Sequence, residues 1–245
     1  MAPFLFPGCP RRPAPAPPHG LSASLPRCHA PKLARKDDGR IPVRITDPAE
    51  LDRLYGRPGA ASVLKVADHL TPAYRDWLEA SPFYVLATRG PQGLDCSPRG
   101  DRLGELARVA DERTLLLPDR RGNNRIDSLR NILHDPQVGL IFLTPGIGEA
   151  LRVNGTAEIL ADEALNATFA VDGKAPKVVV RVSIRSVYFQ CARAVARSGL
   201  WDPATFRALG TLPTAGVMLA EASAGREGGA AYDAALAERQ RQTMY

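Results

Sequence analysis

The pattern of apolar and polar residues predicts a chain built mainly from β-strands. Short runs rich in aliphatic, aromatic and β-branched residues alternate with residues that favour turns. These runs span residues 83–88, 94–97, 107–109, 114–117, 138–143, 149–160 and 177–184. Residues 89–93 are of turn type and join the first two runs into a predicted hairpin. Polar and apolar residues alternate in the run 149–160, so Arg152 is expected on the polar face of a long strand.

Helices are predicted before, between and after these strands. Asp47 and Thr71 each precede a proline, so each is expected to cap a helix. A short helix is predicted to start at 162–165, and a loose one to span 230–242. Several strands with few helical crossovers indicate a mainly β fold with flanking helices (α+β), a closed or split β-barrel. The sequence contains no G-x-G-x-x-G, Walker A or G-x-S-x-G motif.

The most informative segment is a turn between a predicted strand and a predicted helix. The strand ends at Pro118, and Gly122 marks the turn. Asn123 or Asn124 is expected to cap a helix that continues to about His134. The free N–H groups and the positive dipole end of such a helix favour a bound anion.

Basic side chains strengthen this interpretation of the turn. Three arginines lie within it: Arg120, Arg121 and Arg125. A guanidinium group matches the geometry of phosphate oxygens, so the segment predicts a phosphate-bearing ligand. The alternative is a capped helix with arginines in solvent.

The following helix is expected to present two different faces. Its polar stripe is formed by Asn124, Ser128 and Asn131. Its apolar stripe, expected to face a core, is formed by Ile126, Leu129 and Leu133.

A second group of candidate ligand residues follows the last predicted strand. Arg193 and Arg197 are one helical turn apart, and Trp201 comes soon after. These side chains could close over a flat anionic ligand, stack on each other, or contact a neighbouring subunit. The sequence leaves these alternatives open.

The charge of the chain is concentrated at its start. The sequence has 32 basic and 26 acidic residues, and six of the basic ones, with no acidic residue, lie in residues 1–36. The remainder is therefore formally neutral, which argues against a nucleic-acid-binding core. The Pro-, Ala- and Arg-rich residues 1–40 are expected to be a disordered tail.

The remaining composition indicates a protein of the reducing cytoplasm without membrane segments. The four cysteines are far apart and form no C-x-x-C pair, so neither a metal site nor a disulfide framework is predicted. No apolar run has the roughly 18–20 residues that a membrane span needs. We expect a domain at 41–210 and a helical arm at 211–245.

Three motifs resemble the pyridoxamine 5'-phosphate oxidase-like flavin split-barrel proteins, in particular a bacterial subgroup. The motifs are Ser-Pro-Arg-Gly-Asp at 97–101, the long turn-and-helix motif at 118–132, and Leu-Arg-Val-Asn-Gly at 151–155. The resemblance covers most of 45–205 and implies an FMN-binding split β-barrel. The Arg-x-Val-Leu-Leu-Lys strand and the C-terminal Arg-Leu-His type motif of the true oxidases are missing. The resemblance therefore implies FMN binding without oxidation of a B6 vitamer.

The resemblance also implies a homodimer with FMN at the subunit interface. Asn124 and Arg125 would bind the FMN phosphate, and Leu117 and Pro118 would lie against the flavin or ribityl chain. Ser97, Pro98 and Arg99 would hydrogen-bond the isoalloxazine edge. The partner subunit would contribute Arg152, Arg193, Arg197 and Trp201. The other expected cofactor-binding residues are Asp119, Arg120, Asn123, Ser128 and Asn131.

These observations predict an FMN-dependent oxidoreductase that acts on an unknown small molecule. In such proteins the flavin carries the hydride, so no side chain is singled out as catalytic. One alternative is a flavin-binding protein that stores or senses FMN without turnover. Others are a split barrel that uses deazaflavin or haem, and a protein that binds nucleic acid or an acidic partner through its basic tail.

Overall fold

The computed structural model describes residues 44–208 and 210–245. The disordered tail that we expect at 1–40 lies outside these residues. The chain divides into two units, of which the first ends at Gly56 and the second is Arg57–Tyr245. The first unit contains helix α1 (Pro48–Tyr55). The second contains all the elements described below.

The described part of the second unit contains seven strands and seven α-helices. The strands are β1 (Phe83–Gly90), β2 (Gly93–Gly100), β3 (Arg108–Asp111), β4 (Thr114–Pro118), β5 (Gln137–Leu143), β6 (Ala150–Leu160) and β7 (Val179–Gln190). The helices are α2 (Ala60–Leu64), α3 (Pro72–Glu79), α4 (Asp127–His134), α5 (Glu163–Ala167), α6 (Arg193–Ser198), α7 (Ala215–Ala222) and α8 (Gly229–Thr243). This confirms the prediction of a mainly β fold with flanking helices.

The strands form one antiparallel sheet in the order β2-β1-β5-β6-β7-β4-β3. The predicted β1–β2 hairpin is present, with Leu86 opposite Ser97. The pairing of β4 with β7 joins the two parts of the chain, since it sets Pro118 opposite Val179. The basic turn after β4 and the loop before β7 therefore lie side by side.

Side-chain caps explain where several helices begin. The Asp47 carboxylate accepts a hydrogen bond from the Ala49 N–H at 2.9 Å, as predicted. The Thr71 hydroxyl accepts one from the Tyr74 N–H at 3.3 Å, again as predicted. Asp162 caps α5 in the same way, through the Leu165 N–H at 2.7 Å.

The core lies between the sheet and the helices that pack on it. Its fully buried side chains come mainly from β4, β6 and β7 and include Leu115, Leu151, Val153, Val182 and Val187. β6 and β7 approach closely at Gly155, where an added Cβ would lie 2.1 Å from the Ser183 carbonyl oxygen. The β6–β7 register shifts between Asn154 and Gly155, so the glycine permits a bulge in the longest strand pair.

Two strands extend beyond their predicted ends. β2 continues to Gly100 through Pro98, whereas the predicted run ends at residue 97. Proline is tolerated there because β2 is an edge strand, whose outer side needs no backbone donor. β7 continues to Gln190 because Tyr188 and Phe189 pair with β6. Helices α2 and α7 were not predicted.

Candidate functional site

A large cleft opens beside the turn between β4 and α4. Its volume is about 1130 Å³. Its walls come from β2, the turn, the start of α4, the loop before β7 and Tyr245. The lining residues are Asp95, Ser97, Pro98, Arg99, Asp119, Arg120, Arg121, Gly122, Asn123, Asn124, Arg125, Ile126, Asp127, Ser128, Leu129, Lys174, Ala175, Pro176, Lys177, Val178 and Tyr245.

The turn reaches α4 through two residues in the left-handed backbone region. Asn124 has a φ of 59° and Ile126 a φ of 40°. A β-branched residue in this region is strained, and such strain is concentrated at functional sites. The predicted asparagine cap is wrong, since the residue before α4 is Ile126 and no side chain caps the helix. Asn123 instead accepts a hydrogen bond from the Arg125 N–H at 3.0 Å.

The orientation of α4 also differs from the prediction. Ser128 and Ile132 are the buried residues of this helix. Ile126 and Leu133, predicted to face the core, are exposed, and Leu129 is only partly buried. The helix begins at Asp127, and part of its polar stripe faces the sheet. Its first turn borders the cleft.

Polar contacts hold α4 on the β1–β2 hairpin. The hydroxyl groups of Ser128 and Ser97 lie 3.0 Å apart. The Asn131 amide donates to the hydroxyl of Thr88, which is 2% exposed, at 3.0 Å. A Cβ at Gly90 would lie 2.0 Å from the Asn131 side-chain oxygen, so the helix sits directly on β1. These contacts fix the cleft wall to the sheet.

An ion pair spans the floor of the cleft between β2 and the turn. The Arg99 guanidinium lies 3.2 Å from the Asp119 carboxylate. Burial raises the pKa of Asp119, and the positive charge of Arg99 opposes that effect without cancelling it. The Asp119 carboxylate therefore remains costly to ionise in the native state.

The three arginines of the turn have different environments. Arg120 is largely enclosed, and its guanidinium donates to the Asp101 carboxylate and to the Phe169 carbonyl. Arg121 and Arg125 are exposed and line the cleft. Arg125 also donates to the carboxylate of Asp127. Arg120 therefore shapes the turn, while its two neighbours present their charge to the cleft.

The structure brings together many of the residues predicted to bind a cofactor. Those that line the cleft are Ser97, Pro98, Arg99, Asp119, Arg120, Asn123, Asn124, Arg125 and Ser128. Leu117 and Pro118 are buried at the end of β4, immediately before the turn. Asn131 contacts β1 instead of the cleft.

Four further predicted residues, in β6 and after β7, also do not line this cleft within the same chain. Arg152 lies over the ring of Tyr188, with its guanidinium carbon 5.1 Å from the ring centre. Arg193 and Arg197 are exposed on α6. The Trp201 indole N–H donates to the Ile147 carbonyl at 2.8 Å.

Several lining residues were missed by the sequence analysis. Lys174 and Lys177 flank Pro176 in the loop before β7, and two lysines around a proline are a signal that could have been followed. Asp95 lies two residues before the predicted Ser97 in β2. Tyr245 gave no local signal, because it reaches the cleft through a contact with a residue 144 positions away.

The balance of charge suits an anionic ligand. Six basic residues line the cleft, Arg99, Arg120, Arg121, Arg125, Lys174 and Lys177, and three acidic ones, Asp95, Asp119 and Asp127. Within the described residues, no group of three or more His, Cys, Asp or Glu side chains could hold a metal ion. None of the helices in residues 44–208 and 210–245 is long and apolar enough to cross a membrane.

Comparison with known proteins identifies the domain that carries the cleft. No protein of curated function matched the chain. HupZ from Group A Streptococcus is a similar solved structure, with 19% identity, a TM-score of 0.40, and coverage of 48% of this chain and 91% of its own. A Clostridium acetobutylicum protein related to general stress protein 26 of the pyridoxinephosphate oxidase family has 16% identity, a TM-score of 0.39, and coverage of 49% and 86%.

General stress protein 26 from Bacillus anthracis is a further similar structure, with 14% identity, a TM-score of 0.36, and coverage of 47% and 88%. Residues 70–191, which include all seven strands and nearly all of the site, match the pyridoxamine 5'-phosphate oxidase family. The chain therefore belongs to the pyridoxamine 5'-phosphate oxidase-like family.

Proposed function

We propose that the cleft binds FMN and that the protein is an FMN-dependent oxidoreductase with a small-molecule substrate. The observation that carries the proposal is the uncapped start of α4, reached through the left-handed residues Asn124 and Ile126 and bordered by exposed arginines. Free N–H groups at a helix start and fixed positive charge together favour a phosphate. Proteins of this family are known for binding flavin.

The residues around the cleft fit the different parts of FMN. Arg121 and Arg125 supply exposed guanidinium groups at the turn, and Lys174 and Lys177 supply charge across the cleft. Ser97, Pro98 and Arg99, on the edge strand β2, supply the polar edge that an isoalloxazine ring needs for orientation. A cleft of about 1130 Å³ exceeds the usual range for one small ligand, which leaves room for a substrate beside the flavin.

Bound FMN would supply a hydride-carrying ring, and the protein would supply binding and orientation. The turn would fix the phosphate end, and the β2 edge would fix the ring. The pair formed by Arg99 and Asp119 lies between these two parts, where it would hold a charged guanidinium close to the bound ligand. We assign no side chain as a general acid or base.

We further propose a homodimer in which each subunit completes its partner's site. Arg152 and the segment from Arg193 to Trp201 lie outside the cleft of their own chain but include exposed or half-exposed cationic and aromatic groups. Such groups suit the open side of a flavin site. Two subunits related by a twofold axis would each donate them to the other.

Cofactor binding is tested with the purified full chain. We expect a yellow protein, and we expect the colourless apoprotein to bind FMN much more tightly than riboflavin, because riboflavin lacks the phosphate. A protein that carries no flavin and takes up none would overturn the proposal. Equal affinity for FMN and riboflavin would place the phosphate outside the turn.

The same preparation separates an enzyme from a storage or sensing protein. Bound flavin that NAD(P)H reduces, and that a second substrate reoxidises over many cycles, supports the oxidoreductase. Bound flavin that is never turned over supports storage or sensing. Uptake of a deazaflavin or of haem in preference to FMN would assign the cleft to that group instead.

A further inference from the structure

Two packed helices follow the sheet in the chain, and Thr214–Tyr245 is called the arm here. Its two helices, α7 and α8, are held together at a point of close approach. The Asp233 carboxylate accepts hydrogen bonds from the Gly216 N–H at 2.7 Å and from the Thr214 hydroxyl at 2.6 Å. A Cβ at Gly216 would lie 2.3 Å from the Gly229 carbonyl oxygen, so the helices are tightly packed.

The arm is attached to the cleft by Tyr245. The Tyr245 hydroxyl donates a hydrogen bond to the Asp101 carboxylate at 2.8 Å. Among the described residues, this is the hydrogen bond that joins the arm to the rest of the chain. The Tyr245 ring lies against two guanidinium groups, with its centre 5.1 Å from Arg102 Cζ and 5.8 Å from Arg120 Cζ. α8 itself has no buried residue, so these contacts fix the end of the arm.

The acceptor of this bond belongs to the network that shapes the basic turn. The side chain of Asp101 is 1% exposed, and its second oxygen binds the guanidinium of Arg120. Arg120 immediately precedes the exposed Arg121 of the turn. Tyr245 therefore contacts Asp101, which supports the turn, and also lines the cleft.

We propose that Tyr245 is a ligand-positioning residue, and that docking of the arm and binding of the anionic ligand stabilise each other. The inference rests on the proposed function, because it names a further wall of the same site. A ligand in the cleft would contact the Tyr245 ring directly and hold the arm in place. By linkage, an undocked arm would weaken ligand binding by the same factor.

The test compares FMN binding to the full chain with and without the Tyr245 ring. We expect Tyr245→Ala to raise the FMN dissociation constant by about 5-fold or more, within the usual range for coupled sites. Tyr245→Phe keeps the ring and loses the Asp101 hydrogen bond, so an intermediate increase is expected. The matched control is Tyr232→Ala, which removes an α8 ring that packs on Arg239 and does not line the cleft.

Hydrogen exchange of the α8 amides provides a readout that separates linkage from a loss of folding. In the wild type, FMN is expected to slow exchange in α8, and in Tyr245→Ala it is expected to have no effect there. If wild-type protein binds FMN while Tyr245→Ala and Tyr232→Ala match it in affinity and in exchange, the inference is wrong. If wild-type protein binds no flavin, the proposed function fails, and the inference that rests on it fails too.

Discussion

The cationic side chains around the cleft differ in what their charged groups contact. Arg99 pairs with Asp119, and Arg120 is enclosed against Asp101. Arg125, by contrast, is 80% exposed in its side chain, and within residues 44–208 and 210–245 its close acidic partner is Asp127. Since an enclosed guanidinium already has its acceptors, the exposed one is better able to bind an incoming phosphate.

Replacing Arg125 with alanine is therefore expected to weaken FMN binding. A charge-assisted hydrogen bond to the phosphate contributes about 1.5–3 kcal/mol, which corresponds to a rise in the dissociation constant of about 10- to 150-fold. Fluorescence titration of the apoprotein with FMN measures this dissociation constant. Arg130→Ala is the matched control, because Arg130 is an exposed arginine of α4 that does not line the cleft. An equal loss of FMN affinity in both variants would indicate a general effect of positive charge and no direct contact of Arg125 with the phosphate.

The raised pKa of Asp119 is expected to make the stability of the protein depend on pH. Its pKa is raised in the native state, chiefly by burial, so the protonated form is favoured by folding. The stabilising contribution of this group is complete below the unfolded pKa of about 3.9 and is lost as the pH rises through the native pKa. Asp119→Asn mimics the protonated form. The variant is expected to be more stable than wild type at pH 7, with the difference shrinking toward pH 4.

Urea unfolding at both pH values measures this difference. Asp172→Asn provides a control of opposite sign, because the hydrogen bond from Arg102 lowers the pKa of Asp172. Its stabilising contribution is present above the unfolded pKa and is lost as the pH falls through the native pKa. A variant Asp119→Asn that is less stable than wild type at pH 7 would contradict the argument.

At the scale of single elements, α4 determines the geometry of the site. The sequence predicted both a helix here and a phosphate site at its start, but it placed the cap at an asparagine and the wrong residues in the core. Residue periodicity cannot define the rotation of a helix when polar residues such as Ser128 and Asn131 pack against the sheet. Their partners, Ser97 and Thr88, lie in other strands and are known only from the fold.

Replacing Asn131 tests whether this face of α4 stabilises the fold or binds the cofactor. Asn131→Ala removes the partner of the buried Thr88 hydroxyl, so we expect the free energy of unfolding to fall by about 1–3 kcal/mol. Because Asn131 does not line the cleft, FMN affinity should change little in protein that remains folded. Leu133→Ala is the control, since the exposed Leu133 lies on the same helix. A large loss of FMN affinity with unchanged stability would instead make Asn131 a cofactor ligand.

Strands were easier to predict than their partners. The alternation over residues 149–160 predicted a strand that the structure has as Ala150–Leu160. The pairing of β4 with β7 was not predictable, because it joins segments separated by about sixty residues and depends on the packing of the whole core. That pairing brings Lys174 and Lys177 to the basic turn, which is why two of the six basic residues of the cleft were missed.

At the scale of the whole molecule, the proposed site needs two copies of the chain. The cleft residues of one subunit include Arg125, whereas Arg152 lies elsewhere on the same subunit, over Tyr188. If Arg152 acts in the partner's cleft, Arg125→Ala and Arg152→Ala each damage both sites of a homodimer. At every site the two residues then come from different subunits, which makes a mixing experiment decisive.

Mixed dimers of the two variants should recover one undamaged site. At that site the Arg152→Ala subunit contributes its intact Arg125, and the Arg125→Ala subunit contributes its intact Arg152. The other site carries both defects, so random re-association is expected to restore wild-type affinity to about one site in four. FMN titration of the unfractionated mixture measures this fraction, and mixed dimers isolated through two different tags should have about one intact site in two. If the mixture binds no better than the two parents, or if the wild type sediments as a monomer, Arg152 does not act in the partner's cleft.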